Sequence, residues 1–423
     1  MLEDPKGSGR QFVVSTAGQS YVLDDVAAAP KFFAAWQADL QDVHSNKQTN
    51  NQANKQTTPS QVDVASAFPT IKHLFYVAYE TAAVFESLPA PKTKADGGLI
   101  WRHQPQWCVC FDVDADTVYL SSTASVAELD MLQEMLDISS GITADTAGKP
   151  LQIPSPHIVQ EDYTQAVEQV KHYIRQGDVF QVNIARFWQT KCNKEDVNAL
   201  YTKLRSVNPA PFACFVQAGD LTIICASPER LFSISAQGKV STRPIAGTRK
   251  RSEGEHDDAL SAELLLSEKE RAEHIMLLDL ERNDLGRVCV PGSIVVDECM
   301  LIEKYATVQH IVSNVSGQLD SQYDMLDVLK AMFPGGTITG CPKVRCMEII
   351  HELEPKARGP YTGGVGYMAW DGSVDMNILI RSFWHWQGTL NWAAGAGIVA
   401  DSVPEHEELE TEHKVAGLMR VFE

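Results

Sequence analysis

Between Glu161 and Arg175, apolar side chains recur at Tyr163, Val167, Val170 and Ile174. This is the period of a helix with one buried face, and Gly177 ends it. A second stretch, residues 262–287, reads AELLLSEKERAEHIMLLDLERNDLGR. Its Leu265, Leu266, Ile275, Leu277, Leu278 and Leu280 predict one strongly amphipathic helix. Elsewhere the pattern shortens to strand-like runs: WCVCFDV, TVYLSS and the segments 179–188, 222–228, 365–370, 377–386 and 389–399. Strands and helices do not alternate in a βαβ rhythm, and no short repeat occurs. The expected class is therefore α+β, a large antiparallel unit and not a doubly wound sheet. Residues 44–62 are rich in Asn, Gln and Thr and read as a flexible surface insertion. A turn-rich zone at 141–157 precedes the first helix. The pattern thus divides the chain into an N-terminal region, 1–154, and a larger unit, 155–423.

Composition narrows the function. The 423 residues suggest two or three domains, or one large catalytic unit with a smaller companion. Lys and Arg number 36 against 55 Asp and Glu, a formal charge of −19. That balance argues against a nucleic-acid partner and against an anionic membrane surface. No apolar run approaches the roughly 20 residues of a membrane span. The start, MLEDPKGSGRQFVV, lacks a signal core, so a cytoplasmic location is expected. The nine cysteines include no CxxC pair, and Cys108 and Cys110 have no zinc-spaced partners. Reduced, mostly buried thiols are expected.

Candidate chemistry lies in two acidic stretches. Glu270 and Glu273 are three apart on the 262–287 helix and share a face. Alone they would be a solvated surface paired with Lys269 and Arg271. Residues 401–414, DSVPEHEELETEHK, repeat the spacing at Glu407 and Glu410, with Lys414 four further on. Two helices each carrying Glu-x-x-Glu could converge on one hard cation, and oxygen-only donors suit Mg²⁺. The glycine-rich FPGGTITGCPKVR (333–345) lacks the spacing of a nucleotide loop, though Gly340 to Arg345 could present a positive helix end to a carboxylate. Arg381 could clamp a carboxylate, with Tyr367 on an adjacent strand candidate. His310 on a strand and Glu229 after a proline are as compatible with structural roles as with catalytic ones.

Together these segments resemble the chorismate-utilising enzymes. The matching runs are GDVFQVN (177–183), SPERLF (227–232), RPIAGTR (243–249), KERAEHIMLLDLERNDLGRV (269–288) and HIVSNVSG (310–317). They continue with FPGGTITGCPKVRCMEII (333–350), GGVGYMAWDGSVDMNILIRS (363–382) and AGAGIVADSVPEHEELETEHK (394–414). The resemblance implies an α+β fold of two related halves, with packed antiparallel sheets flanked by helices. It makes 155–423 the chorismate-binding catalytic domain. It implies Mg²⁺ ligation by Glu273 and Glu410, with Glu270 and Glu407 acting through water. Gly247, Thr248, Tyr367, Arg381, Gly395, Ala396 and Gly397 match the chorismate-binding set, and Glu229, His310 and Lys414 match catalytic positions.

Within the family, QVNIARFW fits the branches that use ammonia, and Gly335-Gly336 fits the aminodeoxychorismate branch, which leads to 4-aminobenzoate and folate. Ala246 fits the anthranilate branch instead, because many aminodeoxychorismate synthases carry a nucleophilic Lys there and Ala cannot attack. The expectation is amination at C4 of chorismate, with C2 amination to anthranilate as the alternative. No nucleophilic Cys of amidotransferase type stands out, so ammonia is expected from a separate glutamine amidotransferase chain. A further alternative is a non-catalytic binder of chorismate or tryptophan, for which NPAPF (208–212) is the one suggestive segment.

Overall fold

A computed structural model describes residues 2–3, 10–14, 18–45, 54–56, 71–112, 117–122, 130–131, 134, 153–159, 162–250, 255–304 and 308–423. Its central elements begin with strand β1 (Ile71–Val77), helix α1 (Tyr163–Gln176), β2 (Gln181–Lys191), β3 (Leu221–Ser227) and β4 (Ile245–Lys250). Helix α2 (Glu268–Gly286), β5 (Val308–Gln318), α3 (Lys343–Leu353) and β6 (Gly364–Ala369) follow. The chain closes with β7 (Ser382–Trp386), β8 (Thr389–Ile398) and α4 (Pro404–Met419).

Among the described residues these strands belong to two antiparallel sheets, one of twelve strands and one of ten. In the first, β2 pairs with β8 from Val182↔Ile398 to Lys191↔Thr389, and β3 pairs with β7. In the second, β4 pairs with β5, and β1 pairs with β6 from Gly364↔Val77 to Ala369↔Ile71. The class is α+β, as the patterning predicts. Strands from both sides of residue 155 enter each sheet, so the two segments share one framework. Most of the 44–62 stretch lies outside the described residues. Within it, Asn54–Gln56 forms a short strand paired with Thr117–Ser122.

Three apolar clusters hold the layers together. Between the sheets, Leu74 and Tyr76 of β1 meet Cys108, Cys110, Phe187 and Trp384. The largest cluster packs Val167 and Val170 of α1 and Ile349 of α3 against Val182, Ile184, Phe75 and Phe232. The third covers the first sheet's other face, where Trp188, Phe383 and Trp392 meet Val415 and Leu418 of α4. Because β2 is covered on both faces, almost every side chain from Gln181 to Thr190 is buried, its polar residues included.

Two predicted elements are interrupted. The 262–287 helix is two helices, Glu255–Leu266 and α2, divided at Ser267. The Ser267 hydroxyl accepts the Glu270 N–H, an N-cap that starts α2 afresh. The 377–386 strand is also broken. Val374–Asn377 and β7 flank an irregular stretch in which Arg381 has a left-handed φ of 51°.

A buried ion pair locks the centre. Arg358 and Glu354 are 1% and 2% exposed, and Arg358 Nη2 lies 2.6 Å from Glu354 Oε1. The guanidinium also donates to the carbonyls of Ile338 at 2.9 Å and Asn183 at 2.8 Å. Glu354 Oε1 accepts the Ala185 N–H at 2.8 Å. On the N-terminal side, the Glu80 carboxylate accepts the N–H groups of Arg358 and Gly359. Removing one member of such a pair strands a buried charge. Arg358→Met is therefore expected to lower stability by roughly 3–5 kcal/mol, read as a shifted urea midpoint.

Candidate active site

A cleft of about 580 Å³ is lined by β2, β4, β8, α2, α4 and the turns carrying Glu229, Thr337, Tyr361 and Arg381. Its floor is the β2–β8 pairing, which sets Asn183 opposite Gly397 and Ala185 opposite Gly395. A Cβ at Gly395 would lie 2.3 Å from Asn183 Oδ1, and one at Gly397 would lie 2.3 Å from Gln181 Nε2. Glycine here leaves room for these two carboxamides. Ala396, between them, is fully buried and joins the largest apolar cluster, facing away from the cleft as strand alternation requires. Only its backbone belongs to the floor.

On the β4 side, a register shift lies between Ala246 and Thr248 where β4 pairs with β5. Gly247 has a φ of +58°, and a Cβ there would meet Glu270 Oε2 and Leu264 Cδ1, each at 2.8 Å. Thr248 follows opposite His310 in the register. His310 Nδ1 lies 3.4 Å from the Gly247 carbonyl oxygen. Burial, with help from Arg381, pushes its pKa down to about 4, so the ring is neutral at neutral pH.

The two acidic helices face each other across this space. Glu270 and Glu273 of α2 and Glu407 and Glu410 of α4 all line the cleft. Arg186 of β2 fixes the rotation of α4 by pairing with Glu408 and Glu412 at 3.1 and 3.0 Å. Lys171 of α1 adds a bond to the Ser402 carbonyl at 2.6 Å, just ahead of α4. Glu410 pairs with Lys414 at 2.7 Å, one turn on. Among the described residues, no three acidic, imidazole or thiol side chains form a ready-made metal cage. The donor set is nonetheless all carboxylate, which fits a hard cation that keeps water and substrate oxygens in its shell.

Basic groups balance these acids. Lys414 donates to the Gly395 carbonyl at 2.8 Å, and Arg381 donates to the Lys414 carbonyl at 2.7 Å. Lys343 and Arg345, the other cations that the glycine-rich segment suggested, are engaged elsewhere. Lys343 pairs with buried Asp284 at 2.6 Å, and Arg345 pairs with Asp178 and Glu348.

Glu229 is a buried carboxyl in the lining of the cleft. It is 4% exposed, and burial raises its carboxyl to about 7. The nearby Thr337 side chain, the Ile245 backbone and the charge of Lys414 oppose that rise. A carboxyl held near that value is suited to general acid chemistry at neutral pH.

Twelve of the residues singled out in the sequence thus line one cleft: Glu229, Ala246, Gly247, Glu270, Glu273, His310, Arg381, Gly395, Gly397, Glu407, Glu410 and Lys414. Tyr367 requires correction. It sits within β6, in register with Leu74 and Asp375, and packs on the cluster between the sheets. Tyr361, just before β6, lines the cleft in its place. Gln181, Asn183 and Thr337 also line it and were not singled out. Polar residues at 181 and 183, two apart and therefore on one face of the strand, are the available signal for the first two.

Residues 10–420 match the family described as chorismate binding enzyme. Aminodeoxychorismate synthase component 1 of Bacillus subtilis is 45% identical over 333 residues, 78% of this chain and 69% of that protein. An anthranilate synthase component I-like protein of Synechocystis is 40% identical over 360 residues, 83% of this chain and 72% of that one. The crystal structure of anthranilate synthase component I from Streptococcus pneumoniae superposes with a TM-score of 0.76 at 31% identity, covering 86% of this chain and 83% of that one.

The Gly247 geometry is testable by itself. Gly247→Ala combines left-handed strain with displacement of Glu270 and Leu264 and is expected to cost more than the roughly 1–2 kcal/mol of the strain alone, measured by denaturant unfolding. Gly177→Ala also has a positive φ, but its Cβ would meet nothing within 4 Å, so it should show the backbone cost alone.

Proposed function

The chain belongs to the chorismate-binding enzyme family, and from that premise we propose that it aminates chorismate at C4 in a Mg²⁺-dependent reaction. Ammonia would come from a separate glutamine amidotransferase subunit, and the product would lead to 4-aminobenzoate and folate. The observation that carries this reading is the convergence of two Glu-x-x-Glu pairs, Arg381 and Lys414 around Glu229, whose pKa is about 7. The Bacillus subtilis relative supports the C4 branch.

Glu273 and Glu410 would hold Mg²⁺, with Glu270 and Glu407 reaching it through water. When bound, the ion supplies Lewis-acid polarisation of the ring carboxylate. Arg381 and the Tyr361 hydroxyl face the space for the second carboxylate, and burial keeps that tyrosine protonated. The backbones at Gly247 and Gly395–Gly397 orient the ring. Glu229, protonated, gives its proton to the C4 hydroxyl as the C–O bond breaks and water leaves. The carboxylate left behind accepts the proton that the attacking ammonia sheds. Neutral His310 would act through hydrogen bonding and not as the acid.

Ala246 favours a second reading. It lines the cleft without a nucleophilic side chain, which suits direct addition of ammonia at C2, as in the anthranilate branch. No helix among the described residues is long and apolar enough to cross a membrane, and a cytoplasmic location is part of the proposal.

Two measurements test this function. Glu229 carries its proton below pH about 7 and loses it above. With chorismate, Mg²⁺ and a fixed concentration of free ammonia, the rate should therefore fall as pH rises through that value. Glu229→Gln should lose this limb and about 10²–10⁴ of the rate. An unchanged pH profile would remove Glu229 from the mechanism. Separately, Glu410→Gln should abolish Mg²⁺-dependent turnover, and wild-type response to Mg²⁺ in that variant would refute the ligand assignment.

A further inference from the structure

Asn183 is 8% exposed, and each of its other polar groups is engaged. Its backbone N–H donates to the Thr339 carbonyl at 2.8 Å, and its carbonyl accepts from Arg358 at 2.8 Å. The side-chain Nδ2 donates to the Thr337 carbonyl at 3.4 Å. That contact fixes the orientation of the amide, because the flipped form would set Oδ1 against a carbonyl oxygen. Oδ1 is left buried with no hydrogen-bond donor. It borders the cleft at Gly395, and the Tyr361 hydroxyl lies 3.1 Å from the same virtual Cβ position.

A buried acceptor without a donor is unfavourable and rare, so the geometry calls for a ligand that brings an O–H or N–H group to this point. With both carboxylates ionised, the ring hydroxyl is the one O–H donor that chorismate carries. Thr337 stands between this acceptor and the acid, since its carbonyl accepts from the Asn183 amide and its side chain lines the cleft beside Glu229.

On the reading that chorismate occupies this cleft, we infer that Asn183 is a positioning residue whose Oδ1 accepts the hydrogen bond of the C4 hydroxyl. Holding that hydrogen leaves the lone pairs of the hydroxyl oxygen to face Glu229. The contact is independent of whether ammonia attacks C2 or C4, because the hydroxyl departs in both cases.

The test compares two ligands by calorimetric titration, with Mg²⁺ present and ammonia absent: chorismate and 4-deoxychorismate, which lacks the hydroxyl. The wild type should bind chorismate about tenfold more tightly, the scale of one buried hydrogen bond against an unsatisfied acceptor. Asn183→Leu, of similar shape and without the acceptor, should bind the two ligands within about twofold of each other. A merely structural Asn183 would weaken both ligands alike and keep their ratio, which would overturn the proposal. Equal binding of both ligands by the wild type would overturn it too, even if the variant failed to fold, while leaving the cleft as the chorismate site. Binding of neither ligand by the wild type would overturn the site reading and this proposal with it.

Discussion

The Arg358–Glu354 pair is the constraint on which the site depends. The two charges are almost fully enclosed, so they persist only because each is satisfied several times. The partners they recruit come from different parts of the chain: the β2 backbone at Asn183 and Ala185, the turn at Ile338, and through Glu80 the N-terminal segment. Asn183 and the neighbouring Thr337 line the cleft. The pair therefore fixes the height of β2 relative to the turn that carries Thr337, and it sits behind the cleft, not in it. Its stability contribution and its positioning of the floor are one arrangement.

That arrangement also explains how an acidic chain can accommodate an anionic substrate. The net charge of −19 would repel a dianion at long range. Within the cleft, Arg381 and Lys414 stand beside the floor, and the proposed Mg²⁺ would lie among the carboxylates of α2 and α4. Elsewhere acidic groups are matched locally, as where Arg186 gathers Glu408 and Glu412. Lys343 and Arg345 are likewise held in internal pairs.

Much of this was legible in the residues, for physical reasons. Helix α1 shows its period because one face is buried, and β8 shows as a mostly apolar run because both its faces are covered. The acidic pairs were legible because three-residue spacing means one helical face whatever the rest of the fold does. What escaped was set by tertiary contacts. The helical period runs across Ser267, so only the cap reveals the break. Ile378, Leu379 and Ile380 are apolar enough to continue a strand, yet the chain turns there to deliver Arg381 at a positive φ. Tyr361 and Tyr367 are the same residue type a few positions apart, and only the pairing of β6 with β1 decides which one reaches the cleft. The charge pattern could not show Asn183 at all, because its importance lies in an acceptor left without a donor.

The central claim concerns which carbon of chorismate receives nitrogen, and product identity tests it most directly. The chain is incubated with chorismate, Mg²⁺ and ammonium, and the product is followed by mass and ultraviolet spectrum. The account predicts an aminated product that retains the enolpyruvyl group and that an added lyase converts to 4-aminobenzoate. Anthranilate formed without any lyase would contradict it, and Ala246 would then be the residue that had pointed to the right branch.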